Sequence, residues 1–389
     1  MGKRVVAPGR ADDIKAVMES EKSVTCPLCC ATSIPVSVGE CPRCAHLWRK
    51  RGASGHDVSL ACATAALVLF LSLLVLPLVE VSKIGFHREI RLGELGAALA
   101  GQGMGWLGRY VDFCVVAAPA ALLLGMIPLL AAAAAGRAFP GWRAVLALTC
   151  FAGRWAMAEV LLLAILISFL KIDALADAAV GAGCYALAGA SVCILLAWQA
   201  FDPAVVRARL DPAAPDPKLP APAHRGSLDG SIALFCAAAF ALVPANLLPM
   251  MEISIAGRSS GDTIFGGVVL LVREGMWGIG LVVFVASFIV PIGKLAGLAR
   301  LFWLARRGGG GPGAVRLHRL LDFIGRWSML DILLIALLAG LIQFQGLAYV
   351  KPGPAAPAFA AAVVFTILAV ELFPLRALFP SGASAGKRA

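Results

Sequence analysis

The chain has 389 residues, of which 60% are hydrophobic and 15% are charged, and its formal net charge is +11. A mean hydropathy of +0.86 excludes a soluble globular protein and indicates a polytopic membrane protein. In such a protein the excess of positive charge comes mainly from Lys and Arg in loops on the cytoplasmic side, which lie next to anionic lipid headgroups. Because no basic face alternates with exposed aromatic residues, we expect no nucleic-acid partner.

Residues 1–24 are polar, basic and expected to be flexible, and residues 25–50 have the pattern of a cytoplasmic metal ribbon. Two Cys-x-x-Cys knuckles with eleven residues between them supply Cys26, Cys29, Cys41 and Cys44. Four thiolates at this spacing wrap one tetrahedral ion, and the hairpin between them is too small to fold on apolar burial alone. We predict a zinc site. Iron in the same cage stays an alternative, because four thiolates suit both metals.

A first membrane module is predicted over residues 57–201. Its apolar spans run from Val58 to Val79, over about residues 111–135, through a third segment that ends near Lys171, and over about residues 178–200. Segments of this length cross a bilayer. Nine Lys and Arg residues precede the first span, which places the N-terminus in the cytoplasm by the positive-inside rule.

A Pro-rich cytoplasmic linker over residues 202–226 leads to a second module over residues 227–380. Its spans are expected near residues 228–251, 277–305, 327–350 and 356–379. Both termini then lie in the cytoplasm, and the two modules share one orientation because each has an even number of spans. The predicted fold class is an all-α polytopic membrane protein. It has two parallel repeats of four transmembrane helices and a small N-terminal four-Cys zinc ribbon.

One motif occurs twice, 172 residues apart, reading GRWAMAE over residues 153–159 and GRWSMLD over residues 325–331. Its Arg and Trp suit the headgroup boundary. The acid lies one turn beyond the Trp on the same helix face, whereas the motif's own Arg, five residues before the acid, lies on a different face. The motif residues either line a polar path or form an inter-helix pair that fixes packing. The candidates are Arg154, Glu159, Arg326, Ser328 and Asp331.

The second module keeps more polar groups inside its spans than the first. Lys294 is expected either to pair with Asp331 or to snorkel to the inner headgroups, and the first module has Leu122 at the matching position. Asn246, just before Pro249, satisfies a freed carbonyl or faces a cavity. If one module holds a transport site, the sequence therefore favours the second.

Catalytic machinery is not visible in the sequence. It contains no Ser-His-Asp set, HExxH motif, phosphate loop or haem attachment motif. We therefore assign no catalytic residues and expect no enzymatic activity.

Four stretches together resemble the paraquat-inducible protein A family: the Cys-x-x-Cys pair, NLLPM over residues 246–250, ASFIVPIGK over residues 286–294, and the second motif copy. The resemblance covers nearly all of residues 25–379. It implies two four-span modules in the inner membrane of Gram-negative bacteria, working with periplasmic MCE-domain proteins that carry lipids. One departure is that the linker has no Cys, whereas family members often carry a second ribbon there.

The function implied by this resemblance is exchange of phospholipid-like molecules between the inner-membrane bilayer and a periplasmic MCE partner. Two alternatives stay open at this point. One is a membrane redox protein with a rubredoxin-like four-Cys iron site, and the other is a membrane anchor for the partner that does not itself transport lipid.

Overall fold

The chain is mostly helical in a computed structural model, which describes a few residues of the predicted ribbon and most of the membrane region. The described residues are 23–24, 26, 34–35, 41, 55–83, 86–172, 177–211, 226–255, 258–273, 275, 277–330, 332–333, 336–337, 343–344 and 348–379. Seven helices among them are long and apolar enough to cross a membrane. This confirms a mostly helical polytopic membrane protein.

The first half consists of long apolar helices and several shorter ones. They are α1 (Gly55–Val75), α2 (Glu94–Ala100), α3 (Gly105–Asp112), α4 (Ala118–Ala135), α5 (Trp142–Trp155), α6 (Ala158–Ile172), α7 (Ala182–Ala200) and α8 (Pro203–Leu210). A π-helical segment, Phe113–Ala117, joins α3 to α4. The run from α3 to α4 forms one candidate span, and the run from α5 into α6 forms another.

The second half repeats this order. Its described helices are α9 (Leu228–Leu247), α10 (Ile264–Arg273), α11 (Trp277–Phe284), α12 (Val290–Arg307), α13 (Pro312–Trp327) and α14 (Ala355–Leu372). A second π-helical segment, Val285–Ile289, joins α11 to α12, and a short 3₁₀ helix, Leu375–Leu378, follows α14. The span predicted over 327–350 lies partly outside the described residues.

A proline explains each π-helical segment. Pro119 and Pro291 follow the two segments by two residues, and proline has no N–H to donate to the preceding turn. In the first segment the N–H of Ala118 donates to the carbonyl of Phe113. The next carbonyl, that of Cys114, is then left for a donor from elsewhere in the fold.

Short antiparallel strands, which the all-α prediction omitted, occur in both halves. They are β1 (Ser23–Val24), β2 (Ile34–Pro35), β3 (Val79–Lys83), β4 (Phe86–Ile90), β5 (Asp177–Val180), β6 (Met251–Ile255), β7 (Arg258–Asp262), β8 (Gln343–Phe344) and β9 (Ala348–Pro352). The sheet orders are β1-β2, β4-β3-β5 and β7-β6-β9-β8. The two larger sheets connect the end of the first helix in each half to the start of its last membrane-spanning helix, α7 or α14.

Glycine allows each sheet to reach the following helix. An ideal Cβ on Gly181 would lie 2.3 Å from the carbonyl oxygen of Pro77, and one on Gly353 would lie 2.2 Å from that of Pro249. Both backbone N–H groups donate across this contact, Gly181 to Leu78 and Gly353 to Met250. A side chain at either position would collide with the backbone that connects the first helix of that half to its strand.

The spacing of 172 residues found in the motif recurs in the structure. The two π-helical segments begin 172 positions apart, as do β3 and β6, and β4 and β7. Two buried hydrogen bonds recur at this spacing as well. Ser59 Oγ donates to the carbonyl of Ala197 at 2.9 Å, and Ser231 Oγ donates to that of Ala369 at 2.5 Å. These two hydrogen bonds join α1 to α7 in the first half and α9 to α14 in the second.

The two halves share one hydrophobic core. Phe70 and Leu122 from the first half belong to the same buried cluster as Leu333 and Phe359 from the second. A smaller cluster around Leu301, Leu321 and Phe373 lies within the second half. Packing across the halves therefore fixes how the two motif copies face each other.

Candidate functional site

The first motif copy interrupts a helix. Helix α5 ends at Trp155, Ala156 is extended with φ −70° and ψ 115°, and α6 begins at Ala158. The N–H of Met157 in this break donates to the carbonyl of Cys114 at 3.3 Å, the carbonyl that Pro119 leaves available. The break is therefore stabilised by the π-helical segment of the preceding span.

The premise that the motif lies on one continuous helix is wrong. In the first copy Glu159 lies in the first turn of a new helix after Trp155 has ended the previous one, so the i, i+4 rule does not relate them. In the second copy α13 ends at Trp327, and Ser328 and Met329 form a turn. Its acid, Asp331, lies outside the described residues.

Ion pairs cross between the two halves at the motif. Arg326 Nη1 of the second half lies 3.3 Å from Glu159 Oε1 of the first half. Arg154 of the first half contacts the carboxylate of Glu371, near the C-terminal end of α14 in the second half. Each motif arginine thus forms an ion pair with an acid of the other half. The structure therefore places the predicted residues Arg154, Glu159 and Arg326 in ion pairs between the halves.

These ion pairs border a cleft with a volume of about 620 Å³. Its charged side chains are Arg154, Glu159, Arg319, Asp322, Arg326 and Glu371, and its aromatic side chains include Trp155, Phe323 and Trp327. Strands β5 and β9 precede α7 and α14, and the cleft lies at the far ends of these two helices. The cleft is thus at the end of the molecule opposite the two larger sheets.

Lys294 occupies a separate, buried position in the second half. Its side chain is 2% exposed, and its Nζ donates to Ser328 Oγ at 3.2 Å. Ser328 Oγ donates in turn to the carbonyl of Ile324, also at 3.2 Å. Thr366 lines the small space beside them. The structure therefore joins Lys294 to Ser328, two of the predicted residues, and turns the lysine inward instead of toward solvent.

Asn246 is not joined to these groups by a described contact. Its Nδ2 donates to the carbonyl of Leu242 at 2.8 Å, one turn back in its own helix. Its Oδ1 is buried and has no hydrogen-bond partner among the described residues. Asn246 was expected either to satisfy a freed carbonyl or to face a cavity. Its amide nitrogen satisfies a backbone carbonyl of its own helix, and its amide oxygen is buried.

His318 and Glu371 are site residues that the sequence analysis missed. His318 Nε2 lies 3.1 Å from the carbonyl of Val370 in the wall of the cleft. Burial lowers the pKa of His318, against opposing effects of the Val370 contact and Asp322, so the neutral imidazole is favoured. The signal for Glu371 was available, because it is a single acid at the end of an otherwise apolar helix.

The predicted metal ligands are only partly within the described residues. Cys26 and Cys41 are buried; strand β1 lies just before Cys26, and β2, which pairs with β1, lies between the two cysteines in sequence. Cys29 and Cys44 lie outside the described residues. Within the described residues no group of three or more His, Cys, Asp or Glu side chains is placed to hold a metal ion. The four-Cys site therefore stays a prediction.

Comparison with known proteins gives one family. The family model described as paraquat-inducible protein A matches residues 57–211 and 228–381. The protein named "Intermembrane transport protein PqiA" from Escherichia coli strain K12 is 29% identical over 378 residues, covering 86% of this chain and 89% of the relative. No solved structure matches the chain significantly.

Two further relatives have related names. The "Lipophilic envelope-spanning tunnel protein A" of Escherichia coli strain K12 is 28% identical over 382 residues, covering 90% of this chain and 88% of the relative. The "Probable intermembrane transport protein" of Haemophilus influenzae is 37% identical over 150 residues, covering 38% of this chain and 36% of the relative. With both halves matched by the same family model, the chain belongs to the paraquat-inducible protein A family.

Proposed function

We propose that this chain is the bacterial inner-membrane component of an MCE-type lipid-trafficking system. It exchanges phospholipid-like molecules between the bilayer and a periplasmic MCE-domain partner. The observation that carries the proposal is the charged cleft of about 620 Å³ between two apolar halves, in a chain with relatives named for intermembrane transport. A lipid presents both a charged headgroup and apolar chains, and this arrangement offers surfaces for both.

The proposed architecture is two parallel four-span repeats with both termini in the cytoplasm. Its support is the recurrence of strands, π-helical segments and serine hydrogen bonds at one spacing. Basic residues at the cleft end of the molecule support a cytoplasmic orientation of that end by the positive-inside rule. They include Arg137, Arg143, Arg207, Arg209, Arg306 and Arg307.

Polar residues within the spans would line the lipid path. Lys294, Ser328, Asp331 and Asn246 supply these groups in the second half. The buried Lys294 ammonium has its one described hydrogen bond to a neutral hydroxyl, and a buried ammonium is stabilised much better by a carboxylate. We propose Asp331, three residues beyond Ser328, as that carboxylate.

Charge exchange tests this pairing. Lys294→Asp and Asp331→Lys should each abolish lipid transfer, and the double variant should restore part of it because the opposite charges are regained. A double variant as inactive as either single variant would rule the pairing out. The matched control is Ile292→Ala, since Ile292 lies two residues away on α12 and is exposed.

Transfer itself is measured with the full chain in vesicles, by following a fluorescent phospholipid from donor to acceptor vesicles, and with cells lacking the gene. The expected results are accelerated transfer in vitro, an envelope-lipid defect in the cells, and co-purification of an MCE-domain protein. If Lys294→Ala and Asp331→Ala each correct the envelope-lipid defect of the cells as fully as the wild-type chain does, the chain acts as an anchor for the partner and not as a transporter.

The four-Cys ribbon is proposed to hold structural zinc through Cys26, Cys29, Cys41 and Cys44. The burial of Cys26 and Cys41 in so short a segment supports this, because few apolar residues are available there to bury them. Elemental analysis should find one zinc per chain, lost in Cys29→Ser and kept in the neighbouring Cys30→Ser. A coloured protein containing iron would instead favour the redox function.

A further inference from the structure

The cleft between the halves has balanced charges. Three arginines (Arg154, Arg319 and Arg326) face three acids (Glu159, Asp322 and Glu371), and the burial that lowers the pKa of His318 favours its neutral form. A ligand with a net charge would leave one of these side chains uncompensated in a partly buried space. The balance therefore favours a ligand that carries both signs of charge and is neutral overall.

The arginines keep hydrogen-bonding capacity for such a ligand. Each of the two cross-half contacts uses the Nη1 atom of the guanidinium and one carboxylate oxygen. A guanidinium has five N–H donors in a planar fork, which matches the oxygens of a phosphate. The Arg154 side chain is 48% exposed and that of Arg326 is 34% exposed, so both remain accessible from the cleft.

The acids and aromatic rings suit a cation. Glu159 and Glu371 are less exposed than their arginines, at 14% and 22%, so a cation between them is partly shielded from water. Trp155 and Trp327 also line the cleft. Tryptophan faces attract ammonium groups with a strength that rises as water is excluded.

Apolar side chains complete the wall. Leu195 and Ile367 line the same cleft near the ends of helices that are apolar enough to cross a membrane, and Leu375 lines it from the 3₁₀ helix that follows α14. A free, water-soluble phosphoamine gains nothing from such a wall, whereas the acyl region of a lipid does. The volume of about 620 Å³ is within the range of small-molecule sites, which leaves the remaining chain length to the bilayer.

We propose that the cleft binds the headgroup of a zwitterionic phospholipid, such as a phosphoethanolamine lipid, in the leaflet away from the sheets. The phosphate lies on Arg154 and Arg326, and the ammonium lies between Glu159, Glu371 and the tryptophan rings. This inference rests on the proposed lipid-exchange function, and it adds the headgroup class and the place where the headgroup is held.

Native mass spectrometry of the purified full chain tests this binding directly. Equal amounts of phosphatidylethanolamine and phosphatidylglycerol with identical acyl chains are added, and retained lipid is counted. We expect phosphatidylethanolamine to be retained about tenfold more, the effect of one charge-assisted hydrogen bond. Equal retention, or more phosphatidylglycerol, would overturn the proposal. Displacement of the lipid by soluble phosphoethanolamine at the same concentration would also overturn it, because the ligand would then not be a lipid.

Glu371→Gln isolates the role of the carboxylate. The equivalent position of the first half, 172 residues earlier, is Gln199, so a helix of this type accommodates the amide. The preference for phosphatidylethanolamine should fall to near one in this variant. The control is Asp211→Asn, which breaks the Arg143–Asp211 ion pair of 2.6 Å outside the cleft and should keep the preference. Equal effects of the two variants would contradict the proposal.

Failure of this inference is separable from failure of the proposed function. Vesicle transfer without a headgroup preference would contradict the proposed headgroup site in the cleft but would still support lipid exchange. Absence of transfer for every lipid tested would remove the exchange function. If Glu371→Gln does not fold, the lipid preference of the unmodified chain still decides the question.

Discussion

A single added methyl group at the glycine of the first motif copy tests the packing of α5 on α7. An ideal Cβ on Gly153 would lie 2.5 Å from Cη2 and 2.6 Å from Cζ3 of Trp198. The Trp198 ring is stacked on Phe201 with centroids 5.8 Å apart, and Phe201 is buried, so the indole has little room to retreat. Overpacking of this kind costs about 1–3 kcal/mol, which the better helix propensity of alanine offsets by about 0.5–1 kcal/mol.

The second motif copy provides the matched control. The nearest heavy atom to an ideal Cβ on Gly325 is Cγ1 of Ile367 at 3.7 Å, an ordinary van der Waals contact. Gly325→Ala should therefore gain the propensity term alone, so the two variants should differ in stability by about 1–3 kcal/mol. For a unit the size of one half, 1 kcal/mol shifts the melting temperature by about 2–4 °C.

Thermal unfolding in detergent, followed by near-ultraviolet circular dichroism, measures this difference. We expect Gly153→Ala to melt several degrees below Gly325→Ala, with the wild-type chain between them or close to the latter. Equal melting temperatures for the two variants would refute the claim that α5 and α7 are in contact at Gly153. A Gly153→Ala variant more stable than wild type would refute it as well.

Other contacts give predictions of similar form. A double-mutant cycle of Glu159→Gln and Arg326→Gln should show a coupling of about 0.2–1 kcal/mol, because the pair is partly exposed, and zero coupling would contradict the cross-half contact. Ser59→Ala and Ser231→Ala should each cost about 0.5–1.5 kcal/mol in detergent unfolding, and a large inequality would contradict their equivalence. Because the pKa of His318 is lowered on folding, its stabilising contribution is present above about pH 6.5 and is lost as the pH falls below that value. Melting temperatures measured from pH 7.5 to 5.5 should fall more for wild type than for His318→Gln, and parallel curves would count against a buried neutral imidazole.

The length of the apolar runs was enough to predict where most helices lie. Apolar runs of about 20 residues form transmembrane helices in a bilayer, because the backbone must satisfy its own hydrogen bonds there. The first, fourth and fifth predicted spans accordingly overlap α1, α7 and α9 closely. The strands had a signal as well, since Val79-Glu80-Val81-Ser82 alternates apolar and polar residues in the period of a strand. That pattern is only four residues long, which is short for a strand prediction.

The helix break in the motif had no local signal. Neither Ala156 nor Met157 disfavours a helix strongly, and no proline or glycine separates Trp155 from Glu159. The break depends on a carbonyl that Pro119, more than thirty residues earlier, makes available to the N–H of Met157. Such a cause is tertiary, so rules that relate residues within one helix fail there, and the pairing of Glu159 with Arg326 followed from neither motif copy alone.

The crossed ion pairs bear on which half does the work. The sequence favoured the second half, where Lys294 and Ser328 lie together, and treated the first as the less polar copy. Yet Arg326 of the second half contacts Glu159 of the first, and Glu371 of the second contacts Arg154 of the first. An isolated second half would lose a partner for both of these charged side chains at the rim of the cleft, and leaving such groups unpaired is costly. The first half therefore supplies two of the six charged side chains of the cleft as well as scaffold, and separately expressed halves should restore transfer only when both are present in one membrane.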